Sequence, residues 1–290
     1  MAGEVLLLGA VAYDPKVVTI WEGFKAWFAG HGLAFDYVLY SNYERLVDAH
    51  LAGHVDVAWN SPLAFVKARR LAAAQGVRVR AVAMRDSDCD LRSVVVVPAG
   101  SPVRAVGDLA GKLVGVGAVD SPQATLLPLW HLRAEGLAPG VDFRVRTFDV
   151  LAGKHGDHVG GERDAALALV RGEVDAACLI EGNHALFAAD GTLPAGSTRV
   201  LTRTPAYDHC NLTVTDAAPA ALVERFRELL LGMSYDDPGV RPLLDLEGLR
   251  AWRPGRTDGY RPLEAAVDQV GLSDPGGRPA TVGGTVTAPG

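Results

Sequence analysis

Short apolar runs alternate with longer amphipathic stretches along almost the whole chain. Residues 5–11 read as a buried strand, followed by a helix over 15–31 and a strand over 34–40. A helix at 43–51, a strand at 55–59 and a helix at 62–75 come next. Two apolar strands, 77–84 and 93–97, flank a polar turn. The pattern then repeats, with helices at 123–135, 163–171 and 218–233 and strands at 143–148, 174–180, 198–204 and 211–214. Such alternation predicts an α/β protein built on mainly parallel sheets.

One phrase occurs twice. Gly53-His54-Val55-Asp56-Val57-Ala58 and Gly172-Glu173-Val174-Asp175-Ala176-Ala177 each follow an amphipathic stretch, 43–51 and 165–170, and lead into a strand. The leading glycine suits a left-handed helix cap. Polar residues follow each copy: Asn60-Ser61-Pro62 in one, Glu181-Gly182-Asn183 in the other. The pair suggests two similar α/β lobes, each offering a strand end to a shared crevice. A solenoid would need at least three copies. The lobes are expected at 1–90 with 205–290 and at 91–204, joined by two crossing strands, a plan suited to closure around a ligand.

Three strand-to-helix junctions carry a capping residue followed by proline: Asp14-Pro15, Ser61-Pro62 and Ser121-Pro122. Proline is preorganised for the first helical position, and the residue before it caps open N–H groups. Helix starts of this kind favour anions. In open α/β sheets, ligands sit beyond the carboxyl ends of strands, where these junctions fall.

Composition narrows the function. At 290 residues, 49% hydrophobic and 21% charged, the chain suits two globular lobes. Its formal charge of −6 provides no general polyanion surface, so nucleic acid is not an expected partner. The three cysteines, Cys89, Cys178 and Cys210, have no metal-like spacing and do not make a disulfide framework. No apolar run is long enough to span a membrane. The first residues show no basic stretch or signal core, which places the protein in the cytoplasm as written. A chain whose leader had been removed would look the same and would lie in the periplasm or at the cell surface. The tail after 273 is rich in Gly, Pro and Thr and is expected to fray.

Further matching phrases are Asp108-Leu109-Ala110-Gly111-Lys112-Leu113-Val114, Asp120-Ser121 through Pro128, Asp164-Ala165 through Ala177, and Thr204-Pro205. Together with 53–62 they make the chain resemble the phosphate/phosphonate-binding branch of the type II periplasmic binding proteins, the solute receptors of ABC importers, from about residue 5 to about residue 235. The resemblance implies a two-lobed fold with the ligand cleft between lobes and an ABC permease as partner if the protein is exported. It implies a small anionic or zwitterionic ligand and no cofactor that is certain. The family's Ser/Thr-rich phosphoryl loop corresponds to Ser121-Pro122-Gln123-Ala124-Thr125, with Ser121 the clear match. Arg163 stands where the family often has a His, and Glu181 and Asp208 correspond to carboxylates that recognise an amino group in some members. The expected ligand set is Tyr13, Asn60, Ser61, Ser121, Gln123, Thr125, Arg163, Glu181 and Asp208.

Two segments depart from that pattern: 154–163, with His155, Asp157, His158 and Glu162, and 207–211, with Asp208, His209 and Cys210. Imidazole with carboxylate suits Fe or Zn, so His155, Asp157, His158 and His209 are candidate metal ligands. His209, Cys210 and Glu162 are candidate acid, base or nucleophile residues for the alternative reading, a cytoplasmic enzyme on the same fold. Against this, glycine-rich loops often hold His and Asp against nearby backbone.

Overall fold

A computed structural model describes residues 4–156 and 160–270. In chain order the elements begin β1 (Leu6–Val11), α1 (Lys16–Gly30), β2 (Phe35–Tyr40), α2 (Tyr43–Leu51), β3 (Val57–Asn60), α3 (Pro62–Ala74) and β4 (Val79–Arg85). Next come β5 (Ser93–Pro98), β6 (Leu113–Val116), α4 (Leu127–Ala134), β7 (Arg144–Thr147), α5 (Glu162–Val170), β8 (Ala176–Ile180), α6 (Glu181–Ala189) and β9 (Thr198–Arg203). The chain continues through β10 (Asn211–Thr215), α7 (Ala220–Leu231), α8 (Arg241–Glu247), β11 (Trp252–Pro254) and α9 (Arg261–Val270).

The chain forms two compact units: Met1–Asp90 with Asp208–Tyr260, and Leu91–Tyr207 with the stretch from Arg261 onward. The C-terminal helix α9, expected with the first lobe, packs instead on α4 and the 122–126 turn of the second unit. Its amphipathic pattern says that one face needs covering but not which unit covers it.

The first unit's sheet has the order β11-β4-β10-β3-β1-β2 and the second's the order β7-β6-β8-β5-β9. β1 is parallel to β2 and β3, whereas β10 is antiparallel to both β3 and β4. In the second unit β6 is parallel to β7 and β8, whereas β5 is antiparallel to β8 and β9. The sheets are therefore mixed in pairing. Alternating strands and helices set a common direction for four strands of each sheet. The strand that follows the crossing from the other unit, β5 in the second and β10 in the first, is then inserted among them, running the other way.

The repeated phrase has one physical meaning in both units. Asp56 donates its N–H to the Leu7 carbonyl and accepts the Leu7 N–H on Oδ2, each at 2.8 Å. Asp175 makes the same pair of bonds to Leu113, again at 2.8 Å. Each carboxylate thus fixes where one parallel strand starts against its neighbour, giving Leu8↔Val57 and Val114↔Ala176. The preceding glycines, Gly53 and Gly172, sit at φ +75° and +71°, so the helix can end and the next N–H can fold back on it. His54 donates to Ala49 and Glu173 to Ala168, both at 2.9 Å.

Both faces of each sheet are covered. Val17, Ile20, Trp21, Phe24 and Phe28 fall on one stripe of α1 and bury against Leu6, Leu8, Leu212 and Val214. Tyr43, Leu46 and Val47 of α2 and Ala64 and Ala68 of α3 fill the opposite face. In β5 the alternation is strict: Val95 and Val97 join one core of the second unit, Val94 and Val96 the other.

Candidate functional site

In the second unit the chain leaves β6 and turns through Ser121-Pro122 into α4. Ser121 Oγ accepts the Ala124 N–H at 3.2 Å, and the Leu126 N–H reaches back to the Ser121 carbonyl at 2.9 Å, closing a wide π turn over Pro122–Leu126. Pro128 has no N–H, so the Ala124 carbonyl lacks its helical donor. It accepts the Gly117 N–H instead, at 3.1 Å. Thr125 Oγ1 donates to the Ala118 carbonyl at 2.7 Å and Gln123 Nε2 to the Gly156 carbonyl at 2.8 Å. The Gln123 carbonyl accepts from Ser93 Oγ, which lies 2.8 Å from the Tyr207 hydroxyl. Ser121, Gln123 and Thr125 are all buried. Gly156 packs so close that a Cβ there would stand 2.7 Å from that of Ser121. The turn is thus a rigid polar surface at the carboxyl end of β6, and π turns are frequent at functional sites.

Glu162, the first residue of α5, closes the same end of the sheet. Its Oε2 accepts the Ile180 N–H at 2.7 Å and Asn183 Nδ2 at 3.0 Å. Oε1 is buried and has no partner among the described residues. Burial pushes the carboxyl up to about 8, against the downward pull of the two hydrogen bonds. Its proton is therefore held well above the usual carboxylate range. The adjacent loop is held by Asp120, whose Oδ2 accepts the Gly153 N–H at 2.7 Å and the His155 N–H at 3.3 Å. His155 is buried; Asp157 and His158 lie outside the described residues.

In the first unit Asn60 ends β3 and Ser61 caps α3, accepting the Ala64 N–H at 3.1 Å. Both are buried. Asp208 is buried and gripped by the Arg256 fork, Nε to Oδ2 at 2.7 Å and Nη2 to Oδ1 at 2.6 Å, and its Oδ1 accepts the Asp90 N–H at 3.0 Å. Tyr13 is half-buried against the core, with Lys16 Nζ 5.8 Å from its ring centroid.

His209 lies in a cluster with Asp88 and Cys210. Ligand atoms of Asp88, His209 and Cys210 all lie within 4.8 Å of one another, and all three residues are buried. His209 Nδ1 lies 3.1 Å from Cys210 Sγ and 3.4 Å from Asp88 Oδ1. The donor types suit Zn. The carboxylate, however, is already in the bidentate fork of Arg85, at 2.5 and 3.1 Å. Arg85 also reaches Glu247 Oε1 at 3.2 Å and lies over Trp59, 5.1 Å from its centroid. A cation here would have to share this carboxylate with a buried guanidinium and sit beside its positive charge.

Arg163 and Glu181 are engaged elsewhere. Arg163 bonds Thr192 and, at 2.9 Å, Asp190, with its guanidinium 4.5 Å from the Phe187 centroid. Glu181 starts α6, as do Gly182 and Asn183, and pairs with Arg203 at 2.7 Å. His131 and His184 lie on α4 and α6, bonded to Thr202 and Thr198 at 2.8 and 3.0 Å. Sequence reasoning missed Ser93, Asn211, Thr213, Tyr207 and Tyr260 as site-supporting groups. For Asn211 and Thr213 there was a signal: polar residues two apart, and so on one face, of a predicted strand.

The fold is shared with solved proteins. PhnD1 of Prochlorococcus marinus, solved with methylphosphonate, is 16% identical and superposes with a TM-score of 0.68 over 92% of this chain and 98% of that one. A binding protein component of an ABC phosphonate transporter from Pseudomonas aeruginosa is 15% identical, TM-score 0.60, over 88% and 82%. The periplasmic aliphatic sulphonate binding protein SsuA of Escherichia coli is 17% identical, TM-score 0.54, over 92% and 84%. A family profile described as ABC transporter, phosphonate, periplasmic substrate-binding protein matches residues 11–263. That family is periplasmic, so the cytoplasmic placement finds no support in it, and nothing in it calls for Fe or Zn. No helix among the described residues is long and apolar enough to cross a membrane. With the match running through nearly all of both units, the chain belongs to the phosphonate periplasmic substrate-binding protein family of ABC transporters.

Proposed function

We propose that this family member binds a small oxyanion of the phosphonate or sulfonate class, or a zwitterion bearing such a group. The observation that carries the reading is the buried Ser121-Gln123-Thr125 turn at the carboxyl end of β6, whose side chains are fixed by its own backbone and by Gly156. A site prepared in this way loses little side-chain freedom on binding. Asn60 and Ser61, at the equivalent strand end of the first unit, are proposed as further ligand groups, with Tyr13 beside them in the sequence-derived set. Arg163, Glu181 and Asp208 are weaker members, because each is already matched to an ion-pair partner. The receptor works in the periplasm or at the cell surface and delivers its solute to an ABC permease. Of the candidates for the enzyme alternative, His209 and Cys210 lie beside Asp88, which the Arg85 fork ties into an internal ion-pair network, and Glu162 accepts from Ile180 and Asn183.

Thermal unfolding against methylphosphonate, inorganic phosphate and methanesulfonate tests the reading. A bound solute at a hundredfold excess over Kd adds about 2.7 kcal/mol. No stabilisation by any of the three would count decisively against it.

A further inference from the structure

Asn60 carries an inference that rests on the receptor reading and deepens it. Its side chain is the last link of a chain of buried hydrogen bonds that begins at a backbone carbonyl. The Tyr260 hydroxyl donates to the His209 carbonyl at 2.8 Å. A carbonyl only accepts, so the polarity of this first link is fixed. The Tyr260 oxygen must then accept, and the Asn211 atom 2.8 Å from it is the amide nitrogen. That leaves Asn211 Oδ1 facing Thr213, whose hydroxyl donates to it at 2.5 Å. The Thr213 oxygen in turn accepts from Asn60 Nδ2 at 3.0 Å. Each orientation follows from the one before it, independently of how either amide was placed.

The terminus of this relay is Asn60 Oδ1. It is an acceptor, it is buried, and it has no partner among the described residues. Asn60 and Asn211 stand opposite each other across the β3–β10 ladder, with Thr213 two residues along, so the three share one face at the carboxyl end of β3. Tyr260 is held in place by an edge-on ring contact with Phe65, at 4.6 Å between centroids. A buried amide oxygen left unmatched is costly, and a ligand lacking a donor leaves it so.

We infer that Asn60 is a specificity-determining acceptor: the solute must bring an N–H or O–H donor to its Oδ1, and an oxyanion with neither is rejected. Phosphonate as the monoanion carries such a hydroxyl, sulfonate does not, and an amino group on either could supply the donor instead. Tyr260 is a positioning residue, since it sets the direction of the relay without meeting the solute.

Calorimetric titration at pH 6 with two matched pairs tests this. Methylphosphonate against methanesulfonate isolates the acid hydroxyl, and 2-aminoethanesulfonate against ethanesulfonate isolates the ammonium. The expected result is a preference of at least about tenfold for the donor-bearing member of one pair, the pair identifying the donor. Asn60→Leu, which keeps the size and removes the acceptor, should erase that preference. Tyr260→Phe leaves the relay free to run either way and should reduce the preference while the other probe still binds. Equal affinities within both pairs, or a preference that survives Asn60→Leu, overturn the inference but leave the receptor reading standing. No binding of any of the four probes overturns both. Should Asn60→Leu not fold, the wild-type pairs and Tyr260→Phe still decide.

Discussion

Replacing Glu162 by glutamine removes a proton-binding group while keeping an acceptor for Ile180 and Asn183. In the folded protein burial lifts this carboxyl from 4.5 to about 8. Between those values the folded state holds a proton that the unfolded chain has released. Stability contributed by Glu162 is therefore full below about pH 4.5, falls as pH rises through the interval and is gone above about 8. At about 1.4 kcal/mol per unit, an interval of roughly 3.5 units corresponds to roughly 4–5 kcal/mol. That is an upper figure, because a carboxylate formed inside the protein draws water toward itself. Among the described residues, Cys178 and Tyr207 feel the Glu162 charge, and both are pushed up by their own burial and stay neutral throughout the range. Urea unfolding of the wild type and Glu162→Gln at pH 5, 6, 7 and 8 isolates the effect, since every other group cancels in the difference. The variant should gain on the wild type by about 1.4 kcal/mol per pH unit up to about pH 8 and by nothing beyond. A difference flat across this range would mean that the carboxyl is already ionised inside the fold, and the case for its raised pKa would fail.

Asp56→Ala and Asp175→Ala should each cost about 1–3 kcal/mol in urea unfolding, and by similar amounts, because the two carboxylates make matching bonds. A cost at one position and none at the other would show that the repeat is one of sequence only. Arg256→Ala leaves the Asp208 carboxylate buried without its fork and should destabilise by roughly 3 kcal/mol, most of it recovered in the Arg256→Ala, Asp208→Asn double variant. No recovery would place the loss in the arginine's packing. Zinc at micromolar excess should leave the melting temperature unchanged, since Asp88 is held by Arg85; a rise abolished by Cys210→Ser would reverse that conclusion.

Much of the architecture could be read from the chain because its signals are local. Asp56 and Asp175 lock strand starts within their own repeat, and Ser121 caps the turn that follows it. The antiparallel insertion of β10 and β5 was not legible, since apolar alternation fixes which face a residue takes but not the direction of the neighbouring strand. Site chemistry was harder. Arg163 and Glu181 were chosen by position in a resemblance, and their partners Asp190 and Arg203 come from elsewhere in the second unit. Glu162 was noticed for its carboxyl, but the packing that raises its pKa involves β8 and α6, distant in the local pattern. The Asn60 relay joins β3, β10 and the turn before α9, segments up to 200 residues apart, so no local pattern announces it.

The place of β10 also sets an order of events during synthesis. Strands β5 to β9 of the second sheet leave the ribosome in one continuous length, whereas the first sheet keeps a gap between β3 and β4 until residue 215 has emerged. Until then both flanks of that gap expose unpaired strand edges, the kind of surface on which nascent chains aggregate. The sheet begun first is therefore the sheet completed last.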